Sequence, residues 1–183
     1  DLPEKMPYEI EKFSAFAEQI KSEGIRDIVL MGMGGSSLAP EVYQRTFGNK
    51  AGYPELHVLD STHPESVTAL EKRLNLSETL FVISSKSGTT LEARSLMRHF
   101  WNQLHNNGYT PGSSFVAVTD PGTPLEDVAR EHNFRDFFRA PSDIGGRYSA
   151  RAEKIGVSPG QLPEASAYMY LASELCHAYQ HRF

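Results

Sequence analysis

The chain has 183 residues, of which 39% are apolar and 22% charged, with a formal net charge of −5. That length can bury a substantial core without disulfides or metal, and the acidic balance excludes the basic field that nucleic acid or an acidic membrane surface would require. No run of 18 apolar residues offers a membrane span, and the single Cys176 fits a reducing, cytoplasmic compartment, as a packed helix residue rather than half of a disulfide. Residues 8–22 then read as an amphipathic helix through Ile10, Phe13, Phe16, Ala17 and Ile20. Short, nearly continuous apolar runs at 27–31, 56–60, 79–84 and 115–119 read as strands buried on both faces. Helices are predicted between them: one starting near Ser36 and Ser37, then 64–74 on Val67, Leu70 and Leu74, 89–106 on Leu91, Leu96, Phe100 and Leu104, and 123–132 with Thr123 and Pro124 as N-cap and first residue. A fifth, edge strand is predicted within 134–141.

This alternation predicts an α/β protein, a three-layer α/β/α sandwich around a mainly parallel five-stranded sheet. Residues 1–163 are expected to form one ligand-binding domain. Residues 164–183 are expected to form a C-terminal helix that packs on it or leads to a second domain. The acidic, mixed start at Asp1 is unlike a signal peptide and lacks an initiator methionine, so the chain is expected to be a piece of something longer.

In open sheets of this class, ligands bind outside the carboxyl ends of the strands, so the residues after each apolar run carry the information. After the first comes "GMGGSSLAPEV", residues 32–42. Gly32 and Gly34 fit the first two glycines of a dinucleotide fingerprint, but Ser37 stands at the third, and no Gly-Lys-Ser/Thr follows to make a Walker loop. Two readings remain: an anion site at a helix N-terminus, or a tight turn with a serine cap. After the third run comes "SSKSGTT", residues 84–90. Ser85, Ser87, Thr89 and Thr90 can all donate, Gly88 permits an unusual backbone angle, and a helix begins there. One or two hydroxyls suffice for a cap; this many reads as a phosphate cup. Lys86 reads either as a ligand contact or as a solvated surface lysine. Asp120 could touch a ligand, but turn and capping chemistry explains "DPGTP" fully, and the structural reading is preferred. "DIGGRYSA", residues 143–150, reads as a glycine-rich loop or as a backbone that brings Arg147 against an anion. His177 and His181 share helical spacing with no third ligand, so no metal site is expected.

Taken in order, "GMGGSSLAPEV", "SSKSGTT" with Glu92 after it, and "GGRYS" resemble the three motifs of the phosphoglucose isomerase family, within the larger sugar isomerase (SIS) superfamily of flavodoxin-like folds. The wording of the first motif most resembles the isomerase half of bacterial transaldolase fusion proteins. The resemblance covers roughly residues 25–150. It implies that Gly35 and Ser36 line a sugar-phosphate site, that Ser85, Ser87 and Thr90 supply phosphate-binding hydroxyls with Lys86 and Thr89 in the same loop, and that Arg147 stabilises an enediolate. Glu92 matches the motif's glutamate without an assigned role. The implied reaction is aldose–ketose exchange between glucose 6-phosphate and fructose 6-phosphate, with no cofactor. Hexose 6-phosphate is thus the implied ligand, and a homodimer or a second SIS domain is expected to complete the site.

The chain departs from the family pattern after Ser149. The family's base glutamate, ring-opening histidine and late lysine lie further downstream, and Glu153, Glu164 and Glu174 sit in no matching motif. The isolated chain is therefore expected to bind sugar phosphate and turn over little. The alternatives are an SIS module that senses a phosphosugar without chemistry, and the isomerase domain of an amino-sugar amidotransferase. Lys86 and the Gly-Gly-Arg motif speak against the latter.

Overall fold

A computed structural model of the chain describes residues 2–140. Each of the five predicted strands is present: β1 (Asp27–Gly32), β2 (Glu55–Leu59), β3 (Thr79–Ser84), β4 (Phe115–Thr119) and β5 (Asp136–Arg139). They form one parallel sheet in the order β2-β1-β3-β4-β5. Five helices accompany them: α1 (Leu2–Ser22), α2 (Leu38–Phe47), α3 (Pro64–Glu71), α4 (Leu91–Asn106) and α5 (Pro124–Glu131).

The central strands β1, β3 and β4 are apolar along most of their length because both faces of the sheet are covered. Ile28 and Leu30 of β1 join Leu80, Val82, Val116 and Val118 in one core, closed by Phe13, Phe16, Ala17 and Ile20 of α1. Val29 and Met31 point the other way, into a second core with Phe81, Ile83, Phe100, Leu104, Phe115 and Leu125. The second core is closed by α3, α4 and α5. Right-handed crossovers explain this sorting. The connection from β1 to β2 runs outward, while those from β2 onward all run in the opposite direction, so α3, α4 and α5 fall on a common face.

Three helix boundaries differ by more than one residue from the sequence-based expectation. The 64–74 helix ends at Glu71, with Lys72 as its C-cap. The 89–106 helix begins at Leu91, because Thr89 and Thr90 belong to a hydrogen-bonded loop before it. The first helix starts at Leu2 rather than residue 8. At the open edge of β2, the Asn49 side chain accepts from the Leu56 N–H at 3.4 Å, and Gln44 donates to the Leu56 carbonyl at 3.1 Å. These contacts blunt a strand edge that would otherwise offer free pairing groups. No helix among the described residues is long and apolar enough to cross a membrane. The expected C-terminal helix, Arg147 and the glycine-rich loop around it lie outside the described residues.

Candidate functional site

The strand order reverses direction between β1 and β3, and this is the switch point where ligands bind in open parallel sheets. The loops that leave those two strands carry the two hydroxyl-rich motifs. Gly32 and Ser84 are direct partners at the last paired position of β1 and β3. A Cβ on Gly32 would lie 3.1 Å from the Ser84 carbonyl oxygen and from Ser36. Glycine there lets the first loop fold back onto the end of β3.

That first loop makes a 3-10 turn over Gly34–Ser36. Ser37 is the N-cap residue of α2, but its hydroxyl makes no cap. It donates backward to the Gly34 carbonyl at 3.2 Å, and the residue is buried. A simple serine cap therefore does not account for the motif. Gly35 and Ser36 are half-buried.

The second loop is more tightly organised. The Ser85 N–H donates to the Val118 carbonyl at 3.0 Å, which continues the β3–β4 pairing past Ser84. The Gly88 N–H closes a turn on the Ser85 carbonyl at 3.2 Å. Gly88 has φ +67°, and a Cβ there would come within 2.8 Å of Thr123 Cβ and the Leu125 backbone nitrogen. Both the angle and the close approach require glycine.

The hydroxyls are paired in twos. Ser85 Oγ lies 2.8 Å from Thr90 Oγ1, and Ser87 Oγ lies 2.9 Å from Thr89 Oγ1. Each hydroxyl has one proton and two lone pairs. A pair spends one proton internally and keeps one to offer outward. Ser85 is buried and Thr90 half-buried, whereas Ser87 and Thr89 are exposed. Thr90 is also the N-cap residue of α4, yet its hydroxyl makes no cap hydrogen bond. The first N–H groups of α4 have no partner within the helix, and its dipole is positive at that end. Two hydroxyl couples thus stand in the loop that leads into the N-terminus of α4.

Lys86 is neither a free surface lysine nor an isolated charge. Its ammonium donates to Asp120 Oδ2 at 2.7 Å, with both side chains partly buried. The β3–β4 register, Ser84 opposite Val118, carries Lys86 opposite Asp120 when extended by two residues. The sequence reading treated Asp120 as turn chemistry and missed this pairing. Glu92 is exposed in the first turn of α4.

Behind the loop, the turn before α5 is held by Glu126. Its carboxylate accepts from Arg139 at 2.6 Å, from Arg130 at 2.7 Å and from the Gly122 N–H at 2.9 Å. The hydrogen bonds from Arg139, Arg130 and Gly122, in that order, pull its pKa down to about 2. The pattern Thr-x-x-Glu at 123–126 signals such a carboxylate at a helix start. Thr123 is the N-cap residue of α5 as expected, with Pro124 after it, but its hydroxyl makes no cap hydrogen bond and pairs with Thr119 Oγ1 at 2.7 Å.

Other groupings lie elsewhere. At the opposite end of the strands, Asp27, Glu55 and His57 bring ligand-type atoms within 4.8 Å of one another. Sequence reading did not foresee this, because Asp27 meets the other two only through the β1–β2 register. His57 Nε2 is already hydrogen-bonded to Asp27 at 2.7 Å, and Glu55 pairs with Arg73 at 3.3 Å. A cleft of about 400 Å³ runs along β2, lined by Glu41, Arg45, Asp60, Ser61 and Arg73 among others. Its charged groups are largely engaged with one another, Arg45 with Glu41 at 2.6 Å for instance, whereas the switch-point loops keep donors to spare.

Sheet order, covered faces and paired switch-point loops define an α/β domain of the sugar isomerase type. The chain matches the phosphoglucose isomerase family over residues 4–160, and it belongs to that family. It is 30% identical over 181 residues to the glucose-6-phosphate isomerase of Prochlorococcus marinus (strain NATL2A), a match covering 93% of this chain and 34% of that protein. A glucose-6-phosphate isomerase structure from Chlamydia trachomatis superposes with a TM-score of 0.70 at 28% identity, over 91% of this chain and 31% of that one. A hypothetical protein of Thermus thermophilus superposes with a TM-score of 0.76 at 28% identity, over 98% of this chain and 38% of its own. The chain therefore spans about a third of the length of the curated relatives it matches.

Proposed function

We propose that this chain is the sugar-phosphate-binding part of a glucose-6-phosphate isomerase, and that the loop at 85–90 holds the phosphate of a hexose 6-phosphate. The observation that carries this reading is the pair of hydroxyl couples, Ser85 with Thr90 and Ser87 with Thr89, at the N-terminus of α4. A tetrahedral dianion accepts several short hydrogen bonds at once, and neutral donors with a helix dipole and one lysine supply them without a basic surface. Gly35 and Ser36 lie on the neighbouring loop, where the sugar would extend from its phosphate. Membership of the family supports the substrate class.

In this reading the phosphate is an anchor, and the chemistry occurs at the other end of the sugar. Ring opening needs a proton moved between the ring oxygen and the C1 hydroxyl. Isomerisation then takes the C2 proton of the aldose to a carboxylate base and returns it to C1, through an enediolate whose charge Arg147 would stabilise. Anchoring the phosphate holds C1 and C2 in one place through the transfer. The base would come from outside residues 1–163, the unit that holds the phosphate, through a second domain or a second copy of the chain.

Two or three hydrogen bonds to a charged phosphate contribute roughly 1.5–3 kcal/mol each. Less the cost of immobilising the ligand, this leaves dissociation constants on the order of millimolar to micromolar. The test is a calorimetric titration with fructose 6-phosphate, with fructose as control. Saturable binding that requires the phosphate and weakens about tenfold in Ser85→Ala is the expected result. A folded chain that binds the two sugars alike, or not at all, would overturn the reading.

A further inference from the structure

We propose that Asp120 is a positioning residue of the phosphate cup, acting through Lys86. The inference rests on the reading of residues 85–90 as that cup. Asp120 is joined to the loop by both its backbone and its side chain. Its N–H donates to the Lys86 carbonyl at 3.3 Å, and its carboxylate accepts from the Lys86 ammonium at 2.7 Å. The preceding residue adds a third tie, since Thr119 Oγ1 donates to the Ser85 carbonyl at 2.7 Å. The end of β4 is thereby sewn to the backbone of Ser85 and Lys86, and the carboxylate is delivered to a fixed place beside the lysine.

The turn that follows β4 explains the aspartate less well than this pairing does. The Gly122 N–H within that turn donates to Glu126 Oε2 at 2.9 Å, so another carboxylate serves it. The pair is also sheltered: the side chains of Lys86 and Asp120 are 34% and 15% exposed. Such pairs are screened less than surface ones.

A lysine on a four-carbon stem is a mobile charge, and holding it in one rotamer removes entropy that a ligand would otherwise have to remove. An ammonium has three protons. Asp120 takes one of them, and that bond fixes the direction in which the ammonium is held. The carboxylate thus aims the lysine before the phosphate arrives, at the expense of placing a negative charge near a dianion. These two effects have opposite sign, and separate substitutions expose them.

The experiment is a double-mutant cycle on the full chain, read by calorimetric affinity for fructose 6-phosphate, with fructose as control and thermal melting of each variant alongside. Asp120→Ala is expected to weaken phosphate-dependent binding about tenfold in the native background and to change it by less than about twofold in Lys86→Ala. Asp120→Asn keeps an acceptor oxygen without the charge, and is expected to lose about threefold in the native background only. It serves as the second variant should Asp120→Ala melt early. Equal losses in both Lys86 backgrounds would mean that Asp120 supports the loop independently of the lysine, and would overturn the inference. So would unchanged affinity in both Asp120 variants while Ser85→Ala still weakens binding; the cup reading would then stand alone. If the native chain binds fructose 6-phosphate no better than fructose, the cup reading fails and this inference falls with it.

Discussion

The two ends of the parallel sheet use polar groups in opposite ways. At the amino ends of the strands, Asp27 is hydrogen-bonded to His57 and Glu55 is paired with Arg73, so each carboxylate is already matched to a partner. At the carboxyl ends of β1 and β3, the polar groups are mostly neutral hydroxyls joined in couples, each with a proton left over. A matched ion pair has little reason to exchange its partner for a ligand. A hydroxyl couple keeps its internal hydrogen bond when its second proton exchanges water for another acceptor. On the proposed reading, one fold thereby makes one end a clamp and the other a receptor.

Four perturbations would break or sharpen that contrast. The largest effect is expected from Gly88→Val, which forces a β-branched residue to φ +67° and drives its Cβ into Thr123 and the Leu125 backbone. A loss of about 3 kcal/mol or more in unfolding free energy is expected, together with loss of phosphate-dependent binding. Denaturant melts and calorimetry would check both. A stable Gly88→Val variant with intact binding would show that the receptor loop is not built as described.

Asp27→Ala removes the partner of a buried histidine at the clamp end. A cost of about 1–2 kcal/mol in stability is expected, with no change in affinity for fructose 6-phosphate. A loss of affinity without a loss of stability would reverse the roles assigned to the two ends. Within the receptor, Ser87→Ala is expected to weaken binding only about threefold, less than Ser85→Ala, because its couple is exposed and competes with water. Titration of the two variants side by side would reveal the order.

The last perturbation is read in acid and concerns Glu126, whose pKa is lowered from its ordinary 4.5 to about 2. A depressed carboxylate contributes stability that is fully present above its unfolded value and is lost as pH falls through the folded one. Acid should therefore weaken the fold between pH 4.5 and about 2. Glu126→Gln should flatten that limb of the stability curve, which urea midpoints measured across the range would show.

Much of the architecture was legible in the sequence, because a strand buried on both faces has no other way to be written. The runs at 27–31, 79–84 and 115–119 became β1, β3 and β4 almost residue for residue. The edge strand β5 was legible despite Asp136 and Arg139 because turn residues and a helix frame it. Site legibility was uneven. The residue types of 84–90 singled out the loop that the proposed function rests on, since so many hydroxyls exceed what a helix start needs. How they combine was not visible: Thr90 reads as a cap in one dimension, but it turns its hydroxyl to Ser85. Asp120 likewise read as a turn former, because its partner lies on another strand.

By itself, then, the sequence determined which segments are strands and helices, that the sheet is parallel and covered, and which loop carries spare hydrogen-bond donors. These follow from hydrophobic period, local capping chemistry and composition, all of which act within a few residues. The tertiary structure alone decided the order β2-β1-β3-β4-β5, the switch point between β1 and β3, and the pairs Lys86–Asp120 and Asp27–His57. Those depend on crossover handedness and strand register, which bring together residues 30 or 34 positions apart in the chain. No local pattern encodes such a meeting; only the packing of the whole sheet does.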